Sequence, residues 1–346
     1  MLKNIVIFAL ILAFVVVSLG AYTRLKDAGL GCPDWPGCYG HIDVPMTEAE
    51  IVQANAAYPE RPVEQHKAWA EMVHRYFASS LGLAIVIIAF LSFKQRRQIP
   101  ETPLLLPLFL VALVIFQGLL GMWTVTLKLY PPIVMGHLLG GFATLCALWL
   151  LLLKLRALPK PDQAATPSTP PHHNQPPSTI QKVITFSYAA LLLLVLQIAL
   201  GGWTSSNYAA IACTELPICQ SHWHSMDKLM NGFVLFTETT QYEYGAHLTA
   251  EAKQAIHMTH RLGAIVASFA LIITALLSLK RTQSPTIRKL AIGLLIVLAV
   301  QFSLGLSNII LMLPLSVAVA HNVVALLLLL TLITLIVSLQ RERGSE

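Results

Sequence analysis

Charged residues are scarce in this chain of 346 residues. Aspartate, glutamate, lysine and arginine together make up 12% of the sequence, whereas 55% of it is hydrophobic and its mean hydropathy is +0.66. Ordinary soluble domains carry about 25% charged residues, so this composition excludes them. The sequence also lacks a basic stripe interleaved with aromatic residues, and its net charge of +6 therefore gives no indication of a nucleic-acid partner.

Long hydrophobic runs fill much of the rest of the chain. Eight of them are about 20 residues long, which is enough to cross a bilayer core about 30 Å thick. Their length predicts helices, because the strands of a membrane barrel are only about ten residues long. An alternative for the first run is a signal peptide with Lys3 in its basic region. The eight runs lie at 4–22, 68–93, 104–127, 131–153, 182–204, 252–279, 287–311 and 315–339.

Basic residues mark one side of the predicted membrane protein. They gather in the connections that follow the second, fourth and sixth runs, and again after the eighth. Such residues favour the cytoplasmic side, so both termini are predicted to lie inside a bacterial-type inner (cytoplasmic) membrane. The residues concerned are Lys94, Arg96, Arg97, Lys154, Arg156, Lys160, Lys280, Arg281, Arg288, Lys289, Arg341 and Arg343.

The sequence repeats itself once. Motifs of the first half return in the second half after 181 to 186 residues. The matched pairs are Gly20 with Gly201, Cys32 with Cys213, Cys38 with Cys219, His74-Arg75 with His260-Arg261, Gln117 with Gln301, Gly121 with Gly305, and His137 with His321. We therefore predict an all-α polytopic membrane protein, with eight transmembrane helices as two tandem four-helix bundles related by a pseudo-two-fold axis along the membrane normal.

A proline-rich stretch separates the two halves. We predict an N-terminal four-helix half at 1–157, a flexible cytoplasmic linker at 158–180 and a C-terminal four-helix half at 181–346. The first outside loop, at 23–67, is predicted to hold a short surface helix near 47–56.

Only five cysteines occur, and four of them lie in the two long outside loops. Cys32 and Cys38 are separated by five residues, and so are Cys213 and Cys219. The outer compartment is oxidising, so two disulfides that close short loops are the natural interpretation. Free thiols or a zinc site are the alternatives, although the spacing differs from the usual zinc-binding pairs. Cys146 lies within a hydrophobic run and is interpreted as a small buried residue.

Four histidines lie at a similar depth in the predicted helices: His74 and His137 in the first half, His260 and His321 in the second. They are roughly 8–12 Å inside the membrane at 1.5 Å per residue, where ionisable groups tend to face the bundle interior. Two histidines on different helices can bind a haem, zinc or copper. A flat porphyrin needs only two opposed imidazoles, whereas zinc needs further ligands nearby. Hydrogen bonding between helices is the alternative without a cofactor.

An acid stands beside only one of the two histidine pairs. Glu71 lies one helical turn before His74, whereas His257 occupies the same place in the second half. A carboxyl group in an apolar pocket can exchange protons, so we expect a substrate site in the N-terminal half and an electron-carrying site in the C-terminal half. Arg75 and Arg261 each follow a histidine, and either pair with haem propionates or reach the membrane surface.

Taken together, these motifs resemble the haem A synthases, the CtaA/Cox15 family, over essentially the whole chain. The likeness rests on Glu-x-x-His-Arg in the second span, Gly-His in the fourth, His-Arg in the sixth, a histidine in the eighth and a cysteine pair in each long outside loop. The resemblance implies oxidation of a methyl group of haem O to formyl through a hydroxymethyl intermediate. It also implies that Glu71 is a catalytic residue and that Cys32 and Cys38 are a functional pair.

The same resemblance assigns the four histidines to two haems. It implies a haem b cofactor between His260 and His321, and the substrate haem O near His74 and His137. The expected partners are haem O, membrane lipid, haem O synthase and an electron acceptor. A homo-oligomer is left open.

Two other classes of function fit the same residues. A dihaem membrane cytochrome that exchanges electrons with quinol also needs four histidines on four helices, with Glu71 as a proton relay. A haem carrier without chemistry is the second alternative. The pigment content of the purified protein distinguishes the three.

Overall fold

The computed structural model describes residues 1–158, 177–220, 223–235 and 248–344. Within these ranges the chain forms ten helices and no strand, and eight of the helices are long and apolar enough to cross a membrane. The predicted all-α polytopic fold is therefore confirmed, whereas the pseudo-two-fold relation between the halves stays a prediction. The helices are α1 (Leu2–Leu25), α2 (Glu48–Ala57), α3 (Gln65–Arg96), α4 (Leu105–Thr126), α5 (Pro131–Arg156), α6 (Pro177–Ser206), α7 (Met226–Gly232), α8 (Ala250–Arg281), α9 (Pro285–Ile310) and α10 (Leu315–Gly344).

Several spanning helices extend beyond the predicted hydrophobic runs. α3 begins at Gln65 and is 32 residues long, and α10 continues to Gly344. Hydropathy marks only the segment that lies in the hydrocarbon core, whereas a helix can continue through the headgroup region. The first hydrophobic run forms α1, which packs against α3 and α5 as part of a bundle.

The first compact unit consists mainly of residues 1–158. Its four spanning helices form a closed ring, because α1 packs against α3 and α5, and α4 packs against the same two helices. Ile85 of α3 and Leu148 of α5 are among the fully buried side chains. The ring brings His74 on α3 and His137 on α5 into one bundle.

The second compact unit contains α7 to α10 and nearly all of α6. In it, α9 packs against α8 and α10, and α7 packs against α8. Leu271 and Leu294 are fully buried on α8 and α9. The predicted domain boundaries stay a prediction, and most of the predicted linker at 158–180 lies outside the described residues.

The first outside loop folds onto the outer end of α3. α2 begins with a capping box, in which the Thr47 hydroxyl and the Glu50 carboxylate each accept from the other residue's main-chain N–H. This helix confirms the one predicted near 47–56. Tyr39 is buried in the loop, donates to the carbonyl of Pro62 at 3.2 Å, and has its pKa raised to about 12 by burial. An ordered loop therefore covers the end of α3 that carries His74.

Candidate functional site

His74 and His137 face each other inside the first unit. Their ring centres are 6.4 Å apart and the ring planes are inclined at 80°. Two imidazole nitrogens that bind one metal ion at about 2 Å each are about 4 Å apart, and the ring centres then lie roughly 6 Å apart. The observed spacing therefore fits a single iron between the two rings.

Each of the four site histidines lies against a glycine of a neighbouring helix. A Cβ atom built on that glycine would lie 3.0 to 3.2 Å from the histidine Cε1 atom in three of the pairs, which is tighter than most Cβ contacts, and 3.5 Å from it in the pair of Gly121 with His137, which is ordinary contact. The repeat in the sequence marks these glycines, but it does not reveal that they are the histidines' neighbours. The pairs are Gly20 with His74, Gly121 with His137, Gly201 with His260, and Gly305 with His321.

In three of the site histidines, the ring nitrogen Nδ1 faces the main chain of a neighbouring helix. The Nδ1 atoms of His74, His137 and His321 are buried and lack a hydrogen bond of ordinary geometry. Main-chain carbonyls of Val16, Gln117 and Gln301 lie close to these three rings, and each belongs to the residue one turn before the neighbouring glycine. A histidine that binds metal commonly donates its other ring N–H to such a carbonyl. For His74 and His137 this arrangement suits ligation of iron through Nε2, whereas the Gln301 amide lies against His321 Nε2 and would have to turn away before that nitrogen could bind iron.

Two glutamine side chains contact the histidines of the second unit. Gln197 on α6 places its Nε2 3.0 Å from His260 Nδ1, and Gln301 on α9 places its Nε2 3.4 Å from His321 Nε2. His260 and His321 are also close enough to interact electrostatically. In the sequence, Gln301 is marked only as the repeat partner of Gln117. Gln197 stands out only when α6 is aligned with α1, where its counterpart is Val16.

Glu71 links α3 to the first outside loop. Its side chain is 6% exposed, and its Oε1 accepts from Arg75 Nη2 at 2.5 Å. Its Oε2 accepts from the main-chain N–H of Cys32 at 3.0 Å. Both carboxylate oxygens therefore have a donor, and the carboxylate sits between the cysteine loop and the helix that carries His74.

His257 occupies the same bridging place in the second unit. Its Nδ1 lies 3.3 Å from the main-chain N–H of Cys213, and its Nε2 lies 3.3 Å from Arg261 Nε. A neutral imidazole has one acceptor nitrogen, so it satisfies one of these donors at a time, whereas a carboxylate accepts both. The exchange of Glu71 for His257 between the halves therefore keeps a bridge but removes a negative charge.

The two arginines hold the cysteine loops. Arg75 donates to the carbonyls of Gly37 at 2.6 Å and Asp34 at 3.1 Å. Arg261 donates to the carbonyl of Glu215 at 2.7 Å and also to that of Cys213. Both guanidinium groups thus bind loop carbonyls. Their predicted contact with haem propionates stays a prediction.

The outside cysteines are joined in pairs. Disulfides link Cys32 with Cys38 and Cys213 with Cys219, whereas Cys146 is free and buried. In the part of the chain that the structure describes, Cys213, Glu215 and Cys219 are the group that brings three metal-ligand atoms together. A bridged cysteine has no thiolate, so this group cannot act as a metal site while the disulfide is intact.

Thiol alkylation of the folded protein is expected to label none of Cys32, Cys38, Cys213 and Cys219 before reduction, and all four after it. A disulfide sulfur cannot react with an alkylating agent, whereas a reduced thiol in a loop can. Cys146 is a control within the same chain, because its place inside the membrane-spanning helix α5 should keep it unlabelled in both samples. Mass spectrometry of the peptides measures each position. Quantitative labelling of Cys32 without reductant would contradict the first bridge.

The fold and the site together define a class of protein: a multi-pass membrane protein whose helices bring buried histidines together. The chain matches the model of the COX15-CtaA family, described as cytochrome oxidase assembly protein, over residues 3–333. It belongs to this family, which confirms the resemblance seen in its motifs.

Curated relatives named heme A synthase match nearly the whole chain. The protein of Shewanella oneidensis is 46% identical over 327 residues, which are 94% of this chain and 93% of that protein. The protein of Chelativorans sp. is 25% identical over an alignment of 330 positions, which covers 91% of this chain and 84% of that protein. The protein of Flavobacterium psychrophilum is 26% identical over an alignment of 360 positions, which covers 95% of this chain and 96% of that protein.

Proposed function

We propose that this protein is an oxidoreductase of the haem A synthase type, which acts on haem O. Family membership over nearly the whole chain and the 46% identity to a protein of that name support the assignment. The observation that carries it is the opposed pair of histidines beside a buried carboxylate, with ring centres 6.4 Å apart. The methyl group of haem O would be oxidised to formyl through a hydroxymethyl intermediate.

The N-terminal half would bind the substrate and the C-terminal half the cofactor. His74 and His137 bind the substrate haem O, and Glu71 stands one helical turn before His74 on the outer side. His260 and His321 hold haem b, which supplies a one-electron carrier for the reaction. The glycines of the neighbouring helices leave room for the histidine rings, and the apolar side chains of the helices would exclude water from a bound haem.

Glu71 and the outer loop form the polar end of the substrate site. The carboxylate lies among apolar residues of α3, where its charge is poorly screened and acts more strongly than it would in water. Arg75 and the N–H of Cys32 hold the carboxylate in one orientation. The loop thereby fixes the group that stabilises charge or accepts a proton during oxidation of the methyl group.

The protein is a multi-pass membrane protein, and we place it in the inner membrane with both termini in the cytoplasm. The basic connections between the helices support this orientation, which puts the haem sites towards the outer leaflet. A haem O source and an electron acceptor are the partners that the reaction requires.

Pigment analysis of the purified protein distinguishes a haem A synthase from a dihaem cytochrome and from a haem carrier. A synthase should contain haem b together with haem O, its hydroxymethyl derivative or haem A. Two equivalents of haem b and no other pigment would instead identify a dihaem cytochrome. Haem that is substoichiometric and exchangeable at both sites would identify a carrier.

Gly305→Val is expected to strip most of the haem b from the protein, because the new side chain would occupy the space of the His321 ring. A Cβ at this position already approaches His321 Cε1 to 3.1 Å. Gly293→Val on the same helix is the matched control, since a Cβ there has no atom within 4 Å. The haem-to-protein ratio measures both. Equal haem content in the two variants would contradict the tight fit of the histidine.

A further inference from the structure

The two histidine sites differ at one position beside the ligands. Gln197 lies four residues before Gly201, and Val16 lies four residues before Gly20. Those glycines contact His260 and His74, so Gln197 and Val16 are counterparts next to equivalent histidines. One half therefore has an amide side chain at this position, where the other has an apolar side chain without a hydrogen-bonding group.

The Gln197 amide is held tightly against His260. Its Nε2 lies 3.0 Å from both the ring Nδ1 and the main-chain carbonyl of His260. Gly263, one turn further along α8, leaves room for the amide, because a Cβ there would overlap Gln197 Oε1. That Oε1 is buried and has no hydrogen-bond partner among the residues that the structure describes. The helix pair thus forms a slot that fits a glutamine and leaves one acceptor unused.

We propose that Gln197 is a positioning residue that orients His260 and strengthens its bond to the iron of haem b; this inference rests on the proposed function. An imidazole that binds iron through Nε2 carries its proton on Nδ1, which then needs an acceptor. Amide oxygen and nitrogen are exchanged by a half-turn of the side chain, and Oε1 is the acceptor without a partner. The turned amide accepts from Nδ1–H, gives up its bond to the His260 carbonyl and moves away from that oxygen, because two acceptors repel each other.

The acceptor changes the electronic character of the ligand. A hydrogen bond from Nδ1–H makes the imidazole a stronger electron donor, which favours ferric over ferrous iron and lowers the reduction potential of the haem. The side chain of Val16 cannot accept this bond, and the main-chain carbonyl of Val16 lies close to His74 instead. The two histidines therefore differ in the kind of acceptor beside them, an amide side chain for His260 and a main-chain carbonyl for His74.

Substitutions of opposite chemistry at Gln197 test the role. In Gln197→Val, which copies Val16, the haem b potential should rise and transfer of haem to apomyoglobin should become about tenfold faster. In Gln197→Glu, a carboxylate accepts more strongly, so the potential should fall below that of the wild type. A side chain that only fills space would not move the potential in opposite directions.

Gly263→Ala should also remove the contact between the Gln197 amide and His260, but without replacing the glutamine. The added methyl group should push the amide out of its slot, so the haem b potential should rise as it does in Gln197→Val. In the double variant Gln197→Val with Gly263→Ala, the alanine should add no further shift, because no amide is left to displace. Val16→Gln in the other half is the control and should leave the haem b potential unchanged.

Redox titration and haem transfer on the purified full-length protein decide the matter. A wild-type protein without a low-spin haem would overturn the proposed function and this inference with it. If the wild type holds that haem, unchanged potentials in Gln197→Val and Gln197→Glu, or shifts in the same direction, would overturn the inference alone. Additive shifts from Gln197→Val and Gly263→Ala would also overturn it.

Discussion

Replacement of His260 or His321 with leucine is expected to abolish the low-spin haem b spectrum of the purified protein. Leucine cannot bind iron, so the haem loses one of the two axial bonds that give this spectrum. The effect should be complete in each single variant, because a six-coordinate low-spin iron needs both imidazoles. Difference spectra and electron paramagnetic resonance of the oxidised protein measure it.

Two other histidines serve as controls for this result. His66 lies near the start of α3 with 64% of its side chain exposed, and His66→Leu should leave the spectrum unchanged. His74→Leu should remove the substrate haem but retain haem b. A double variant of His260 and His321 with a normal low-spin haem b would contradict the assignment of the ligands.

Glu71→Gln is expected to lower the yield of formyl product by roughly 10²–10³-fold, which is typical for loss of one group that stabilises a transition state. Oxidation of a ring-attached methyl group builds positive charge on its carbon. A carboxylate can stabilise this charge or accept the proton, whereas an amide can do neither as well. Haem b should be bound normally, because Glu71 lies in the first unit.

The loss of formyl product in Glu71→Gln could also arise because the contacts of Glu71 with the loop are broken. This structural cause must be separated from the loss of a catalytic carboxylate. Glu71 and Arg75 have 6% and 12% of their side chains exposed, and removal of one partner of a buried ion pair costs about 3–5 kcal/mol. His257 suggests the way to separate them, since an imidazole serves as the bridge in the second unit. Glu71→His should keep the loop in place and still lack activity.

The reactivity of the first disulfide reports on the loop in these variants. The reductant concentration at which Cys32 becomes open to alkylation should be the same in Glu71→His as in the wild type. Glu64→Gln is the matched control, because Glu64 precedes α3 and its side chain is 52% exposed. Haem A formation by Glu71→His would show that Glu71 acts only by bridging the loop and the helix. Wild-type levels of formyl product in Glu71→Gln would show that the carboxylate is not the catalytic group.

The spanning helices and the short loop helix could be predicted from the sequence, because each depends on a local pattern. Hydrophobic length decides whether a segment spans the membrane, and the Thr47 and Glu50 pair marks the start of α2. The pairing of His74 with His137 followed from their depth and from the repeat. These signals need no knowledge of how a helix is rotated about its axis.

The contacts between helices could not be predicted in the same way. The approach of Gln197 to His260 depends on the rotation of α6 and α8, which is set by packing against neighbouring helices and not by hydropathy. The bond between Cys32 N and Glu71 depends on the path of a loop that has no periodic pattern. Alignment of the halves does place Val16 opposite Gln197 and Glu71 opposite His257. These two differences between the halves are the sequence signal that could have singled out Gln197 and Glu71.

Conversion of haem O by the protein itself is the most direct test of the central claim. Membranes from cells that express the protein together with a haem O source should yield haem A and its hydroxymethyl precursor on pigment extraction, and membranes with Glu71→Gln should yield haem O almost alone. Unaltered haem O in membranes that contain the wild-type protein with its haem b bound would contradict the account.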